Sequence, residues 1–316
     1  MSAQHVSWGS IELLHNAIRT LTLLNQQGQP FPVIEYRAKV KLHGTNCAVQ
    51  ITDAGPVAQS RNLILTPAAD HKGFATWVAA RADFWSTLAN GLVVFGEWCG
   101  PGVEKGMAIS QAPTKLFAVF AIRPKVNDER MIYEPEQIEA LLPNRPADVH
   151  VLPWEGESIT IDFGSREAIE RVAQQLNERV DAVEREDPWC KRVLGVSGLG
   201  EGLVFYPSPF DQTLMFKAKG DKHRTAGKKA VQVDASAAAS IDELVALVVT
   251  DARLRQGLEA VGGEFDAKKT GAFLGWISAD VKKESVAELE ASGLTWAQVE
   301  KGVQQRARKW FLGGGL

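Results

Sequence analysis

Arg37-Ala-Lys-Val-Lys41-Leu-His43-Gly44-Thr-Asn46-Cys-Ala-Val-Gln50 reads as a strand that ends in a lysine, turns on a glycine and enters a second strand. A lysine so placed has its amine at the mouth of a sheet with backbone on both sides. That suits a nucleophilic amine, which must first lose the proton that an ordinary ammonium, pKa near 10.4, keeps at neutral pH. The spacing alone does not decide the matter. Lys217-Ala-Lys-Gly220 and Lys268-Lys-Thr-Gly271 repeat the Lys-x-x-Gly pattern, and a solvated strand-end lysine is the simpler reading of any one of them.

Working outward, the segments on either side set the fold class. Residues 10–24 place apolar groups at helical spacing behind Ser10 as a cap, and Gly28 and Pro30 end that helix. Residues 33–41 and 46–52 alternate as a pair of strands around the Lys41 turn, followed by a strand over 57–62 with Arg61 near its end. A helical segment is expected over 73–88, and buried strands over 92–98 and 116–122. The clearest helix is 165–187, where Ile169, Val172, Ala173, Leu176, Val180 and Val183 form one apolar stripe. A glycine-opened strand at 198–207 and a neighbouring one at 214–224 follow. Val233-Asp-Ala-Ser-Ala-Ala-Ala-Ser240 reads as a linker, and beyond it helices are expected over 241–256, 268–278, 280–290 and 295–311, the last with a Thr295/Gln298 capping box. The expectation is an α+β protein: a strand-rich domain over 1–235 with several antiparallel hairpins, then a small all-helical domain over 236–316.

Composition narrows the function classes. The chain has 316 residues with 45% apolar, 23% charged and a formal net charge of −3, so it is not a polybasic nucleic-acid binder as a whole. Three scattered cysteines argue against a disulfide framework or a zinc site and fit a reducing compartment. The first residues lack the pattern of a secretory signal, and no apolar run is long enough for a membrane span, so a cytoplasmic protein without a membrane role is expected. No protein partner can be deduced.

Five charged residues sit inside or at the ends of apolar strands: Lys41, Glu97, Glu201, Lys217 and Lys219. Each alone reads as half of a structural ion pair. Lys217 and Lys219 share one strand face, where two ammonium groups repel unless an anion lies between them. Together the five suggest a pocket for a polyanion, with lysines on phosphate and a carboxylate holding a hydrated Mg²⁺. The same cations would disfavour the protonated form of Lys41.

Here a family resemblance becomes specific. Lys41-Leu-His-Gly44-Thr-Asn46, Phe95-Gly-Glu97, Leu116-Phe-Ala-Val-Phe120-Ala-Ile122, Glu201-Gly-Leu-Val204 and Lys217-Ala-Lys219 occur in order. They resemble motifs I, III, IIIa, IV and V of the covalent nucleotidyltransferases, the superfamily of ATP-dependent ligases and mRNA capping enzymes. The form Lys-x-His-Gly-Thr-Asn and the phrase Gly-Glu-x-x-Gly-Pro-Gly-Val-x-Lys (96–105) look most like the RNA ligase 2 type. The match spans roughly residues 30–225.

The resemblance implies a nucleotidyltransferase (ATP-grasp-like ligase) domain with ATP and Mg²⁺ or Mn²⁺ as cofactors. Lys41 would carry AMP as a phosphoamide, and Leu42, His43 and Asn46 would line the nucleotide. Arg61 and Glu97 would contact ribose and phosphate, Phe120 would stack on adenine, and Glu201 would bind metal. Lys217 and Lys219 would hold the α-phosphate. The implied activity joins 3′-OH and 5′-phosphate ends at nicks in duplex RNA or an RNA-containing duplex. The basic run from Lys217 to Lys229, six Lys/Arg against Asp221, offers a local phosphate-binding edge.

Two positions depart from the pattern: Val40 stands where many relatives have Glu, and Ala121 where motif IIIa often has Asp. No Arg-x-Asp-Lys motif VI is found, which disfavours a capping guanylyltransferase. The rival readings are an ATP-dependent DNA ligase lacking an OB domain and a non-catalytic nucleic-acid-binding protein that keeps the fold.

Overall fold

The computed structural model describes residues 3–220, 241–286, 288–289 and 294–315. The expected linker at 233–240 and the basic residues from Lys222 to Lys229 lie outside the described residues.

Strands β1 (Val33–Lys41), β2 (Thr45–Thr52), β3 (Gly55–Ser60), β4 (Val93–Cys99), β5 (Leu116–Arg123), β6 (Val149–Val151), β7 (Ile159–Asp162), β8 (Gly202–Ser208) and β9 (Phe216–Lys219) form two sheets. Their orders are β7-β1-β8-β9 and β3-β2-β4-β5-β6. β1 runs antiparallel to β8, and β2 runs antiparallel to both β3 and β4. β5 is antiparallel to β4 and parallel to β6.

This corrects the sequence reading at its centre. β1 and β2 are not a hairpin; the Lys41–Gly44 turn carries the chain from one sheet into the other. Gly44 permits it, because a Cβ there would collide with the Trp98 carbonyl oxygen and meet Cys99 Cβ at 2.8 Å. Only a residue without a side chain lets this turn lie so close to β4.

The five-stranded sheet packs one face on an aromatic core. Phe74, Trp77 and Val78 of α2 (Phe74–Ala79) and Trp85 of α3 (Ala82–Trp85) cover Cys47, Val49, Val94, Trp98, Phe117 and Val119. The expected single helix over 73–88 is thus two short ones. Likewise β3 stops at Ser60, leaving Arg61 just beyond the strand, and β8 begins only at Gly202. The strand expected over 214–224 begins at Phe216. Helix α1 is Leu14–Gln26, and its N-cap is Leu13 without a side-chain bond, so Ser10 is not a cap. Helix α4 is Pro135–Leu141. The stripe on α5 (Arg166–Arg185) is buried as expected.

The C-terminal helices have a core of their own, including Leu244, Leu254, Phe273, Ile277, Val299, Val303 and Phe311. The expected 241–256 helix is two, α6 (Ile241–Val248) and α7 (Asp251–Ala260). Thr250 interrupts them by accepting a bond from Arg253 N–H and capping α7. Conversely, α8 (Thr270–Glu284) runs through Ala279, where a break was expected. Helix α9 (Trp296–Leu312) opens with the expected box, the Gln298 side chain accepting from Thr295 N–H at 2.8 Å.

By contacts the chain divides into two compact units, one of Met1–Ile11, Ile34–Ile161 and Ala182–Lys217, the other of Glu12–Val33, Asp162–Asp181 and Ala218–Leu316. No helix among the described residues is long and apolar enough to cross a membrane.

Candidate active site

Lys41 ends β1 and its Cα partner across the sheet is Gly202, the first residue of β8. Glu201 stands immediately before that glycine, so the antiparallel register itself delivers a carboxylate to the lysine. The Lys41 Nζ to Glu201 Oε2 distance is 2.8 Å, and His43 Nδ1 lies 3.5 Å from the same oxygen. Glu201 is 5% exposed while Lys41 keeps 23% of its side chain open. Where the sequence suggested cations around Lys41, the structure sets a carboxylate directly against it.

Across the turn, Asn46 of β2 is the register partner of Glu97 in β4, so the two share a sheet face. Burial pushes the Glu97 carboxyl up to about 7 although the Lys41 ammonium opposes it; Glu201 adds repulsion, and His43 and Arg61 pull it back. Five residues picked out from separate parts of the sequence therefore share one electrostatic neighbourhood: Lys41, His43, Arg61, Glu97 and Glu201. The Arg61 guanidinium donates to Ser10 Oγ at 2.9 Å. Leu42 is buried.

Lys217 and Lys219 are partly exposed on one face of β9, with Phe216 and Ala218 buried on the other, as the two-residue period requires. Phe120 on β5 is 9% exposed. The two departures from the family pattern are both core positions. Val40 is buried on the face of β1 opposite Lys39 and Lys41, and Ala121 is buried opposite Phe95. A carboxylate at either place would be a buried charge.

Two residues at this site escaped the sequence reading. Lys39 is 1% exposed, and its amine donates to the carbonyls of Phe120 at 2.9 Å and Tyr133 at 2.7 Å, tying β1 to β5. Burial pulls its pKa down to about 7 against Glu134 and Glu136, with Arg37 lowering it further. Its position two residues before Lys41 was the available signal, since strand neighbours at that spacing share a face. The other is Trp8, whose ring centroid lies 4.9 Å from that of Phe120 and which no local pattern marks.

Among the described residues no group of three or more His, Cys, Asp or Glu could by itself hold a metal. A divalent ion that keeps most of its water and binds phosphate needs only one or two carboxylates. Glu201 and the partly compensated Glu97 fit that need.

A family model described as RNA ligase matches residues 34–219, which contain Lys39 and every site residue picked out in the sequence, but not Trp8. The chain belongs to the RNA ligase family. No curated protein sequence matches it. Among solved structures it is similar to Naegleria gruberi RNA ligase. A lysine-to-alanine mutant with ATP and Mn matches at TM-score 0.46 and 19% identity, over 68% of this chain and 56% of that one. A lysine-to-methionine mutant with AMP and Mn matches at 0.47 and 20%, over 69% and 59%. The same ligase with PPi matches at 0.44 and 17%, over 68% and 56%. The chain thus spans between 56% and 59% of the length of these relatives.

Proposed function

We propose that this member of the RNA ligase family is an ATP-dependent ligase that joins 3′-OH and 5′-phosphate ends through an enzyme–AMP intermediate on Lys41. The observation that carries the reading is the pairing of Lys41 with Glu201 at 2.8 Å at the crossing between two sheets, with His43, Glu97 and Arg61 around it. Lys41 Nζ attacks the α-phosphorus; the P–N bond forms as the P–O bond to pyrophosphate breaks. The ion pair holds Nζ at the mouth of the site, and attack requires the amine to be free of its proton and of Glu201.

Lys217 and Lys219 meet the charge that develops on the α-phosphate, His43 and Arg61 lie toward the phosphates and ribose, and Phe120 stacks on the base. Leu42 and Asn46 complete the nucleotide contacts. Glu201, with Glu97 beside it, would hold Mg²⁺ or Mn²⁺, which supplies neutralising charge to the phosphates. The substrate we assign is a nick in duplex RNA or an RNA-containing duplex, in a cytoplasmic setting. The domain boundary is placed near residue 235, outside the described residues.

Sealing of a panel of nicked RNA, DNA and hybrid duplexes with 5′-labelled phosphate tests this. RNA at the nick should be joined with release of AMP. Sealing of all-DNA nicks alone would favour a DNA ligase, and no reaction with any nick or nucleotide would favour a non-catalytic binder.

A further inference from the structure

The segment from His5 to Ser10 has neither helix nor strand, yet hydrogen bonds fix it beside the site. Val6 N–H donates to Gln59 Oε1 at 2.9 Å, and Gln59, fully buried, donates to Gln50 Oε1 at 3.1 Å. A His5 ring nitrogen lies 3.1 Å from the Ser60 carbonyl oxygen. At the far end Ser10 accepts from Arg61.

Between these anchors Trp8 turns inward and is 5% exposed. Its ring meets Phe120 edge-on at 4.9 Å and Phe95 at 5.2 Å. Thus one short stretch touches two residues assigned to the nucleotide, Phe120 through Trp8 and Arg61 through Ser10.

An indole N–H can only donate, and buried ones normally find an acceptor. The Trp8 Nε1–H is buried and has no partner among the described residues. The Trp85 indole also has no partner among the described residues, but its ring lies against Trp77, Phe84 and Phe117 in the core. Trp8 differs because its ring borders the aromatic platform itself. An unmet buried donor beside a ligand platform has a simple completion: an acceptor on the ligand.

We propose that Trp8 is a nucleotide-binding residue whose indole N–H donates a hydrogen bond to a ring nitrogen of the base stacked on Phe120. This rests on the assignment of Phe120 as the base platform. It makes the N-terminal segment a wall of the nucleotide site and adds a contact that can sort bases, since ring nitrogens differ between them in number and place.

The test uses the full chain, with Trp8→Phe keeping an aromatic ring while removing the donor. ATP affinity is measured by calorimetry, and single-turnover adenylylation is followed against ATP concentration. Trp8→Phe should weaken ATP binding about five- to tenfold, the worth of one neutral hydrogen bond, with the saturated rate within about twofold. Wild type should lose a similar factor with one of 1-deaza-, 3-deaza- or 7-deaza-ATP, and Trp8→Phe should not distinguish that analogue from ATP. A purely structural effect of the substitution would leave the analogue discrimination intact.

Unchanged affinity in Trp8→Phe, or discrimination that survives the substitution, overturns the proposal. Tighter ATP binding overturns it in the other direction, as a ring standing in the base's place. Wild type that binds ATP but forms no enzyme–AMP would defeat the proposed function while the binding arm still decides this inference.

Discussion

Arg253 in the helical unit and Lys39 in the strand-built unit are each 1% exposed, but they are housed in different ways. Arg253 Nε lies 2.8 Å from Asp280 Oδ2, and its guanidinium also donates to the Val248 carbonyl and, at 3.2 Å, to Ser285 Oγ. Burial lowers its pKa, and Asp280 pulls it back up. Lys39 instead donates to two carbonyls and lies over the rings of Trp154 at 4.9 Å and Tyr206 at 5.5 Å. Its pKa falls to about 7. Guanidinium stays charged in such a setting, whereas an amine can give up its proton. The helical unit closes its buried charge with a counter-charge of its own. The strand-built unit keeps Lys39 and Glu97 both poised near neutrality, an imbalance that a charged ligand can resolve and that marks functional sites.

The comparison is broken most severely by removing Arg253. Arg253→Ala leaves Asp280 without its partner, and such a loss in a buried pair typically costs about 3–5 kcal/mol. Denaturant unfolding should show it, while enzyme–AMP formation well below the melting temperature stays near the wild-type rate. A loss under about 1 kcal/mol would mean that the pair is not closed in solution.

The next effect is kinetic. Lys217→Ala or Lys219→Ala should slow single-turnover adenylylation by roughly a hundredfold, about 3 kcal/mol of transition-state stabilisation. Stability should hardly change, as both side chains are partly exposed. A slowing of less than about threefold would remove these lysines from the α-phosphate.

The last effect is spread over pH, and per pH unit it is the smallest. The folded pKa of Lys39, about 7, lies below its unfolded value of 10.5. Between the two the unfolded chain holds the extra proton, so this group's stabilisation grows as pH rises through that window and is lost as pH falls through 7. The stability of wild type relative to Lys39→Met should therefore climb from pH 7 toward pH 10, by at most about 1.4 kcal/mol per pH unit. Glu97, raised from 4.5 to about 7, has the opposite sign: its contribution is lost as pH rises across that range, and Glu97→Gln should flatten the fall. A flat Lys39→Met difference would show that Lys39 keeps its proton when folded.

Much of this arrangement was legible in the sequence because strand periodicity carries it. The shared face of Lys217 and Lys219 and the buried stripe of α5 follow from two- and 3.6-residue repeats. What period alone does not carry is which strands pair. Val33–Lys41 and Thr45–Thr52 alternate as a hairpin would, and only their pairing with distant strands, β8 for the first and β4 for the second, shows that the chain crosses between sheets. The break before α7 did have a local signal, Thr250 followed by Asp251, which is a capping sequence. Trp8 had none, because its meaning depends on Phe120, far along the chain. Lys39 stood in the quoted stretch, but its lowered pKa is a product of burial under Trp154 and Tyr206 rather than of sequence.

The most direct test of the account is where the AMP resides. Wild type incubated with ATP and Mg²⁺ should gain the mass of one AMP, and peptide mapping under mildly alkaline conditions, which preserve a phosphoamide, should place it on Lys41. Lys41→Ala should gain no mass. Adduct mapped to Lys39 or Lys217, or retained by Lys41→Ala, would contradict the assignment of Lys41 as the nucleophile.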